Sequence, residues 1–71
     1  MNTLAMRDYL LLIQSLGTVG LVDCMSHLDA TELAVCDMID RLLDLEYVQA
    51  VGDGHEQRFV LTKHGLRELD S

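Results

Sequence analysis

The residues best suited to chemistry in this chain are two cysteines and three histidines. Cys24 and His27 are three positions apart, a spacing that places two potential zinc ligands one turn apart on a helix. A structural zinc site also needs a second close pair of ligands, and Cys36, His55 and His64 each stand alone. We therefore predict no metal site and no cofactor, with both cysteines present as reduced thiols inside apolar segments.

The sequence carries none of the usual catalytic motifs. It has no glycine-rich phosphate loop, no nucleophile elbow, and no serine, histidine and acid at a spacing that a known mechanism uses. The pairs Asp37 with Asp40 and Asp40 with Asp44 have helical spacing, which is typical of a solvated helix surface. A chain of 71 residues also leaves little volume for a concave pocket of about 300 Å³ or more. We predict a protein that is not an enzyme and has no small-molecule substrate.

Acidic residues dominate the middle of the chain. The formal net charge is -7, and residues 20–50 contain one base, Arg41, against seven acids: Asp23, Asp29, Glu32, Asp37, Asp40, Asp44 and Glu46. Such a surface repels phosphates and favours basic partners, although most runs of charge are simply solvated. No segment reaches the ~18 apolar residues of a membrane span, and the N-terminus lacks a signal-peptide pattern. We expect a cytoplasmic protein with no membrane contact.

The elements that must position these side chains form one small domain, residues 1–71, and are mainly helical. Apolar residues make up 49% of the chain, and proline is absent. Periodicity predicts a first helix over residues 2–16, a second over about residues 21–28, and a third that is capped at Asp29 or Thr31 and ends near Leu45. Gly17 and Gly20 bracket a short extended link between the first two helices.

Two short strands and a last helix are predicted in the C-terminal third. The segments YVQAV and RFVLT have β-branched and aromatic content and are separated by GDGHEQ, in which Asp53-Gly54 is a strong hairpin signal. Thr62 can cap a final helical turn or two in KHGLRELDS. The predicted fold class is therefore α+β, mainly α, with three helices, a two-stranded hairpin and a short C-terminal helix.

The order of these elements and their amino-acid sequences resemble those of winged-helix regulators. The segment VCDMIDRLLDLEYVQAV is similar to the recognition helix and following strand of the MarR-type family, with matches at Val35, Met38, Ile39, Asp40, Arg41, Leu42, Tyr47 and Val48. FVLTKHGLREL is similar to the end of such domains, with matches at Leu61, Thr62 and Gly65. LAMRDYLLL is more weakly similar to the small winged-helix protein of ferrous iron transport, whose cysteine cluster in the wing is absent here. The resemblance implies a helix-turn-helix with a β-hairpin wing and a role in gene regulation.

Two departures from the family pattern bear on function. The usual glycine after the recognition helix is replaced by Glu46, which requires a different or a strained helix exit. The positions that would face bases offer no Arg, Lys, Asn or Gln, the side chains that pair with guanine and adenine edges. These positions are Leu33, Ala34, Cys36 and Asp37. We predict that this helix reads a base sequence poorly.

Two functions remain open, and the first is weak DNA contact by a small transcriptional regulator, mainly through its wing. The cations that could meet phosphate are Arg58, Lys63 and Arg67, with His55 at the wing tip. The competing interpretation is that Arg58 and Arg67 pair with nearby carboxylates. Because the first helix is apolar on more than one side, a second protomer is one way to cover it. The predicted dimer residues are Met6, Leu11 and Leu12.

The second function is that of a protein-interaction module that does not bind DNA. The third helix has more leucines than its core face needs, which leaves some for its outer side or edges. An acidic rim around leucines fits a basic or amphipathic partner, or a second copy of the chain. The predicted interface residues are Leu33, Asp37, Asp40, Leu43 and Asp44. The alternative is that the C-terminal helix and Phe59 cover these leucines.

Overall fold

The elements follow the order that the sequence predicts. A computed structural model of the chain describes residues 6–54 and 57–70. The elements are α1 (Met6–Leu16), α2 (Leu21–Leu28), α3 (Glu32–Asp44), β1 (Val48–Val51), β2 (Arg58–Leu61) and α4 (Lys63–Asp70). This order confirms the predicted fold class, α+β and mainly α. The predicted start of the first helix and His55 lie outside the described residues.

Helix α1 buries one face and ends at a glycine. Tyr9, Leu10 and Ile13 are buried on its inner side. Gly17 then takes φ +88, and its N–H donates to the carbonyl of Ile13 at 2.7 Å. A left-handed residue after the last turn satisfies an otherwise unpaired helix carbonyl. The predicted end of the first helix at Leu16 is confirmed.

The extended link after α1 pairs with the wing. The Val19 N–H donates to the carbonyl of Phe59 at 3.1 Å, and the Phe59 N–H donates back to Val19 at 2.8 Å. These bonds form an isolated antiparallel bridge between the link and β2. The link therefore joins the start of α2 to strand β2 of the hairpin.

The turn between α2 and α3 shows which of the two predicted residues, Asp29 or Thr31, caps α3. Asp29 ends α2 in the left-handed conformation, with φ +52. Thr31 caps α3, because its Oγ1 accepts a hydrogen bond from the Ala34 N–H at 3.2 Å. Such a bond satisfies one of the free N–H groups of a first helical turn. Thr31 is thus the cap, and Asp29 closes the preceding helix.

The wing is an antiparallel hairpin of β1 and β2. Its register runs from Val48 opposite Leu61 to Val51 opposite Arg58. The strands are separated by residues 52–57, as predicted, and Gly52 and Gly54 take φ +78 and +59 there. The Asp53-Gly54 pair therefore lies within a longer connection and does not form a two-residue turn.

The hydrophobic core lies between the helices and the inner face of the hairpin. Its buried members are Tyr9, Leu10, Ile13, Val19, Cys24, Val35, Ile39, Leu42, Val48, Phe59 and Leu69. Every described element contributes at least one of them. Among the described residues, no helix is both long enough and apolar enough to cross a bilayer.

The exit from α3 uses a strained backbone that the C-terminal segment supports. Glu46, where the family has glycine, takes φ +64, a conformation that costs a residue with a Cβ atom roughly 1–2 kcal/mol. The Thr62 hydroxyl donates to the carbonyl of Glu46 at 2.6 Å, and the Thr62 N–H donates to the carbonyl of Tyr47 at 3.0 Å. Gly65 packs against that Tyr47 carbonyl, where a Cβ atom would overlap the oxygen. Of the two exits predicted from the sequence, the structure has the strained one.

The same threonine begins the last helix. Thr62 Oγ1 accepts a hydrogen bond from the Gly65 N–H at 3.1 Å, which caps the first turn of α4. The predicted capping role of Thr62 is confirmed. We call the contacts of Thr62 and Gly65 with residues 46 and 47 the exit brace. The exit brace fixes the end of α3 against the wing and α4.

Candidate interaction surface

The outward face of α3 carries a continuous row of exposed side chains. Leu33, Asp37, Asp40 and Asp44 follow one another at spacings of four, three and four residues. At about 100° per residue, these positions fall within about 60° of one another around the helix. All four are exposed, and Leu33 is 78% exposed. We call this row the α3 stripe; it unites four of the five predicted interface residues.

Leu43, the fifth predicted interface residue, lies off the α3 stripe. It is half-buried and packs against the core. It also borders a groove of about 500 Å³ beside the α3 exit, which Val48 of β1 and Lys63 of α4 help to line. Leu43 is therefore partly covered by the core and is not part of the exposed row.

The α3 stripe is strongly acidic. Helix α3 carries four carboxylates, Glu32 and the three stripe aspartates, against the guanidinium of Arg41, and all five side chains are exposed. No described residue forms an ion pair with Asp37, Asp40 or Asp44. Uncompensated carboxylates on one helix face create a negative potential that repels phosphate and attracts cations.

Arg58, the predicted wing cation, binds within the protein. Its Nε donates to Thr18 Oγ1 at 2.9 Å, and its Nη2 donates to the Thr18 carbonyl at 3.1 Å and to Asp23 Oδ2 at 3.0 Å. The structure therefore shows the competing interpretation for this residue, an ion pair with a nearby carboxylate. We call this group the wing latch, because it ties β2 to the link before α2.

Asp23 completes the wing latch by holding the start of α2. Its Oδ2 also accepts a hydrogen bond from the Gly20 N–H at 2.9 Å. That bond, together with the Arg58 guanidinium, holds the pKa of the Asp23 carboxyl below its ordinary value of 3.8. The side chains of Arg58 and Asp23 are 46% and 35% exposed, so solvent screens the pair.

The structure does not gather the predicted cations into one patch. Arg58 begins β2, whereas Lys63 begins α4 beyond the other end of that strand. Arg67 is exposed one turn further along α4. His55, the fourth predicted DNA contact, lies outside the described residues. The described cations therefore form no continuous track for a phosphate backbone.

The predicted dimer residues do not share one face of α1. Met6 and Leu12 pack partly against the core, and Leu11 is 43% exposed. At about 100° per residue, any two of these three positions are about 100–140° apart around the helix. These three residues therefore do not form one contact stripe on α1. Dimerisation through them stays a prediction.

A second concavity lies between α2, the start of α3 and the wing. We call it the wing groove; it has a volume of about 800 Å³. Its apolar lining is Leu21, Val22, Met25 and Phe59, and its charged lining is Asp23, Glu32 and Arg58. The expectation of little concave volume was wrong, because this groove forms between elements and needs no space inside the core.

The partners of Arg58 were missed by sequence reasoning. Thr18 and Asp23 are 40 and 35 residues away from it in the chain. The bridge between Val19 and Phe59 brings the two segments together. One local signal was present: an acid at the third position of a helix often reaches back to the N–H of the cap residue, as Asp23 does.

Neither cysteine forms a disulfide. Cys24 is buried, and burial raises the pKa of its thiol, which lowers its reactivity. Cys36 on α3 is half-buried. Within residues 6–54 and 57–70, no group of three or more His, Cys, Asp or Glu side chains is placed to hold a metal ion.

Two solved structures share this arrangement of elements. The oxidized form of MarR from E. coli is 22% identical, with a TM-score of 0.84, and the match covers 92% of this chain and 48% of that one. RV1404 from Mycobacterium tuberculosis is 22% identical, with a TM-score of 0.78, and the match covers 97% and 52%. This chain has their winged-helix fold. It spans about half the length of each of these structures.

The comparisons confirm the resemblance to MarR-type winged helices at the level of fold. No protein-family model and no curated protein sequence matches the chain. In helix-turn-helix proteins, the second helix of the motif is the one that enters the major groove of DNA. Helix α3 is the second helix of this motif in the fold, and the N-terminal part of the α3 stripe, with Leu33 and Asp37, corresponds to the positions from which such proteins contact bases.

Proposed function

We propose that this chain is a small, non-enzymatic winged-helix module of gene regulation that binds a protein partner through the α3 stripe. The observation that carries the proposal is the chemistry of the stripe at the base-reading position. Ionised aspartates only accept hydrogen bonds, and Leu33 has no polar group for a base edge. Asp37, Asp40 and Asp44, which form no ion pair with a described residue, would also bring negative charge to the phosphate-rich groove.

The wing supports the same proposal. In the DNA-binding alternative, Arg58 is the main phosphate contact, but its guanidinium already holds Thr18 and Asp23. Turning it toward DNA would break the wing latch and leave the Asp23 carboxylate close to the phosphates. A partner protein with Lys or Arg side chains meets neither obstacle.

Weak DNA contact is the second candidate function. It is favoured by the likeness of the fold to MarR and by the exposed cations Lys63 and Arg67 on α4. So few phosphate contacts would give low affinity and loss of binding as salt rises. The two candidates therefore differ in a property that one titration measures.

The first experiment is fluorescence anisotropy on a random labelled duplex at about 20 mM and about 150 mM salt. We expect no binding by the wild type at either salt. The matched variant is the triple substitution Asp37→Lys, Asp40→Lys and Asp44→Lys, which should bind at low salt because it restores cations to the base-reading position. Wild-type binding that Lys63→Ala and Arg67→Ala abolish would establish the DNA function instead.

The second experiment tests protein contact directly. A photo-crosslinking residue at Asp37, on the stripe, should give a discrete covalent product with a basic protein in cells that express the chain. The same residue at Ser15, which is exposed on α1, is the control and should not give that product. Identical products from both positions would show that the stripe has no role in the contact.

A further inference from the structure

We propose that the wing groove is the docking site for an amphipathic, basic segment of the partner protein. The segment places apolar side chains in the groove and Lys or Arg side chains against Glu32, while the acidic α3 stripe adds longer-range attraction for cations. This inference rests on the proposed function, since it names the surface beside the α3 stripe and the chemistry of what binds there.

The apolar lining of the wing groove is open to a ligand. Val22, in the first turn of α2, is 75% exposed, and Phe59 forms a nearly buried floor at 5%. Leu21 and Met25 are half-buried beside them. The most exposed large hydrophobic residues of the described chain are Val22 and Leu33, and Leu33 directly follows the lining residue Glu32. The start of the α3 stripe therefore lies one residue beyond the groove lining in sequence.

The volume of the wing groove suits part of a folded peptide. About 800 Å³ lies within the range of about 300–1,000 Å³ that is typical of ligand clefts. Peptide helices that dock in such grooves insert apolar side chains spaced three or four residues apart. The groove thus accepts the apolar side of one helix, while the polar side stays in water.

The charges around the wing groove favour a positively charged partner. Within the lining, Arg58 neutralises Asp23 through the wing latch, which leaves Glu32 uncompensated. The stripe aspartates Asp37, Asp40 and Asp44 add negative charge on the same helix, about 80–140° around its axis from Glu32. A second copy of this chain, with a net charge of -7, is repelled, and so is a nucleic acid. A segment with cations beside its apolar residues can fill the groove and pair with Glu32.

The test uses two synthetic fluorescein-labelled peptides. The first is an amphipathic peptide of Leu and Lys with leucines at helical spacing, and the second has the same lysines with Ser in place of Leu. We expect the Leu peptide to bind the full chain about tenfold more tightly, because burial of several leucine side chains adds to the charge attraction. Amide chemical shifts of Val22, Met25 and Gly54, around the groove, should change in the complex.

Two single substitutions locate the contact. Val22→Ser should weaken binding of the Leu peptide several-fold, because it removes apolar surface from the groove wall. Leu66→Ser, at a 41% exposed leucine on α4 outside the groove, is the control and should leave binding unchanged. Circular dichroism checks that both variants keep their helices.

Each outcome separates this inference from the proposed function. Equal affinity for the two peptides would overturn the proposal that the segment docks in the wing groove. So would a Val22→Ser variant that binds the Leu peptide like the wild type, with no change in the amide chemical shifts of the groove residues. If the amide chemical shifts of α3 still changed in those cases, the proposed protein binding at the α3 stripe would remain, and only docking in the groove would be wrong. If neither peptide bound, the groove would be overturned, and the DNA and crosslinking experiments would decide the proposed function alone.

Discussion

The backbone of Glu46 carries a conformational strain that one substitution should remove. Its φ of +64 is accessible to glycine without a Cβ penalty, although glycine loses more chain entropy on folding. We expect Glu46→Gly to raise the free energy of unfolding by about 0.5–1 kcal/mol, measured by urea unfolding. Glu46→Ala keeps a Cβ atom and should bring no such gain. Equal stability of the two variants would show that φ is not the source of the strain.

Asp23 gives the chain an acid-sensitive contact in the wing latch. Its folded pKa is lowered from 3.8, so its contribution to stability is complete above that value and disappears as pH falls through the lower folded pKa. We expect the wild type to lose stability below about pH 4 more steeply than Asp23→Asn. Asp40→Asn removes the same formal charge away from the wing latch and is the matched control for the change in net charge. Parallel curves for wild type and Asp23→Asn would contradict this role.

At the scale of elements, the exit brace decides how α3 is held. A Cβ atom at Gly65 would overlap the Tyr47 carbonyl, which is backbone and cannot turn away. We expect Gly65→Ala to lower the free energy of unfolding by about 2–3 kcal/mol, because overpacking must move the α3 exit or α4. Gly20→Ala is the control, since its Cβ would have its nearest neighbour, Arg58 Nη1, at an ordinary 3.5 Å. A loss no larger than that of the control would show that the contact at Gly65 is loose.

Local patterns explain why the elements could be predicted from the sequence. Helix ends are set by residues within one turn, such as Gly17 after α1 and Thr31 before α3. The α3 stripe could also be predicted, because four of the five interface residues repeat at helical spacing. Met6, Leu11 and Leu12 were grouped by apolar character alone, and helical geometry places them on different sides of α1.

Contacts between distant elements could not be predicted in the same way. In the wing latch, Arg58 contacts Thr18 and Asp23, which lie 40 and 35 positions before it in the chain. No local sequence pattern indicates which carboxylate Arg58 will contact. The wing groove is lined by residues of α2, the start of α3 and the hairpin, which are far apart in the chain. The exposed Val22 on its wall was not singled out from the sequence.

At the scale of the whole molecule, the acidic surface opposes its own folding. A net charge of -7 on 71 residues is concentrated around α3, and salt screens this repulsion over a Debye length of ~10 Å at 0.1 M. We expect the Tm of the wild type to rise between about 20 mM and about 200 mM sodium chloride. The triple variant Asp37→Lys, Asp40→Lys and Asp44→Lys has a formal charge of -7 + 6 = -1 and should show little change. The same salt slope in both proteins would show that the α3 stripe is not the source of the repulsion. Bound cations relieve repulsion as salt does, so a basic partner would stabilise this fold by binding it.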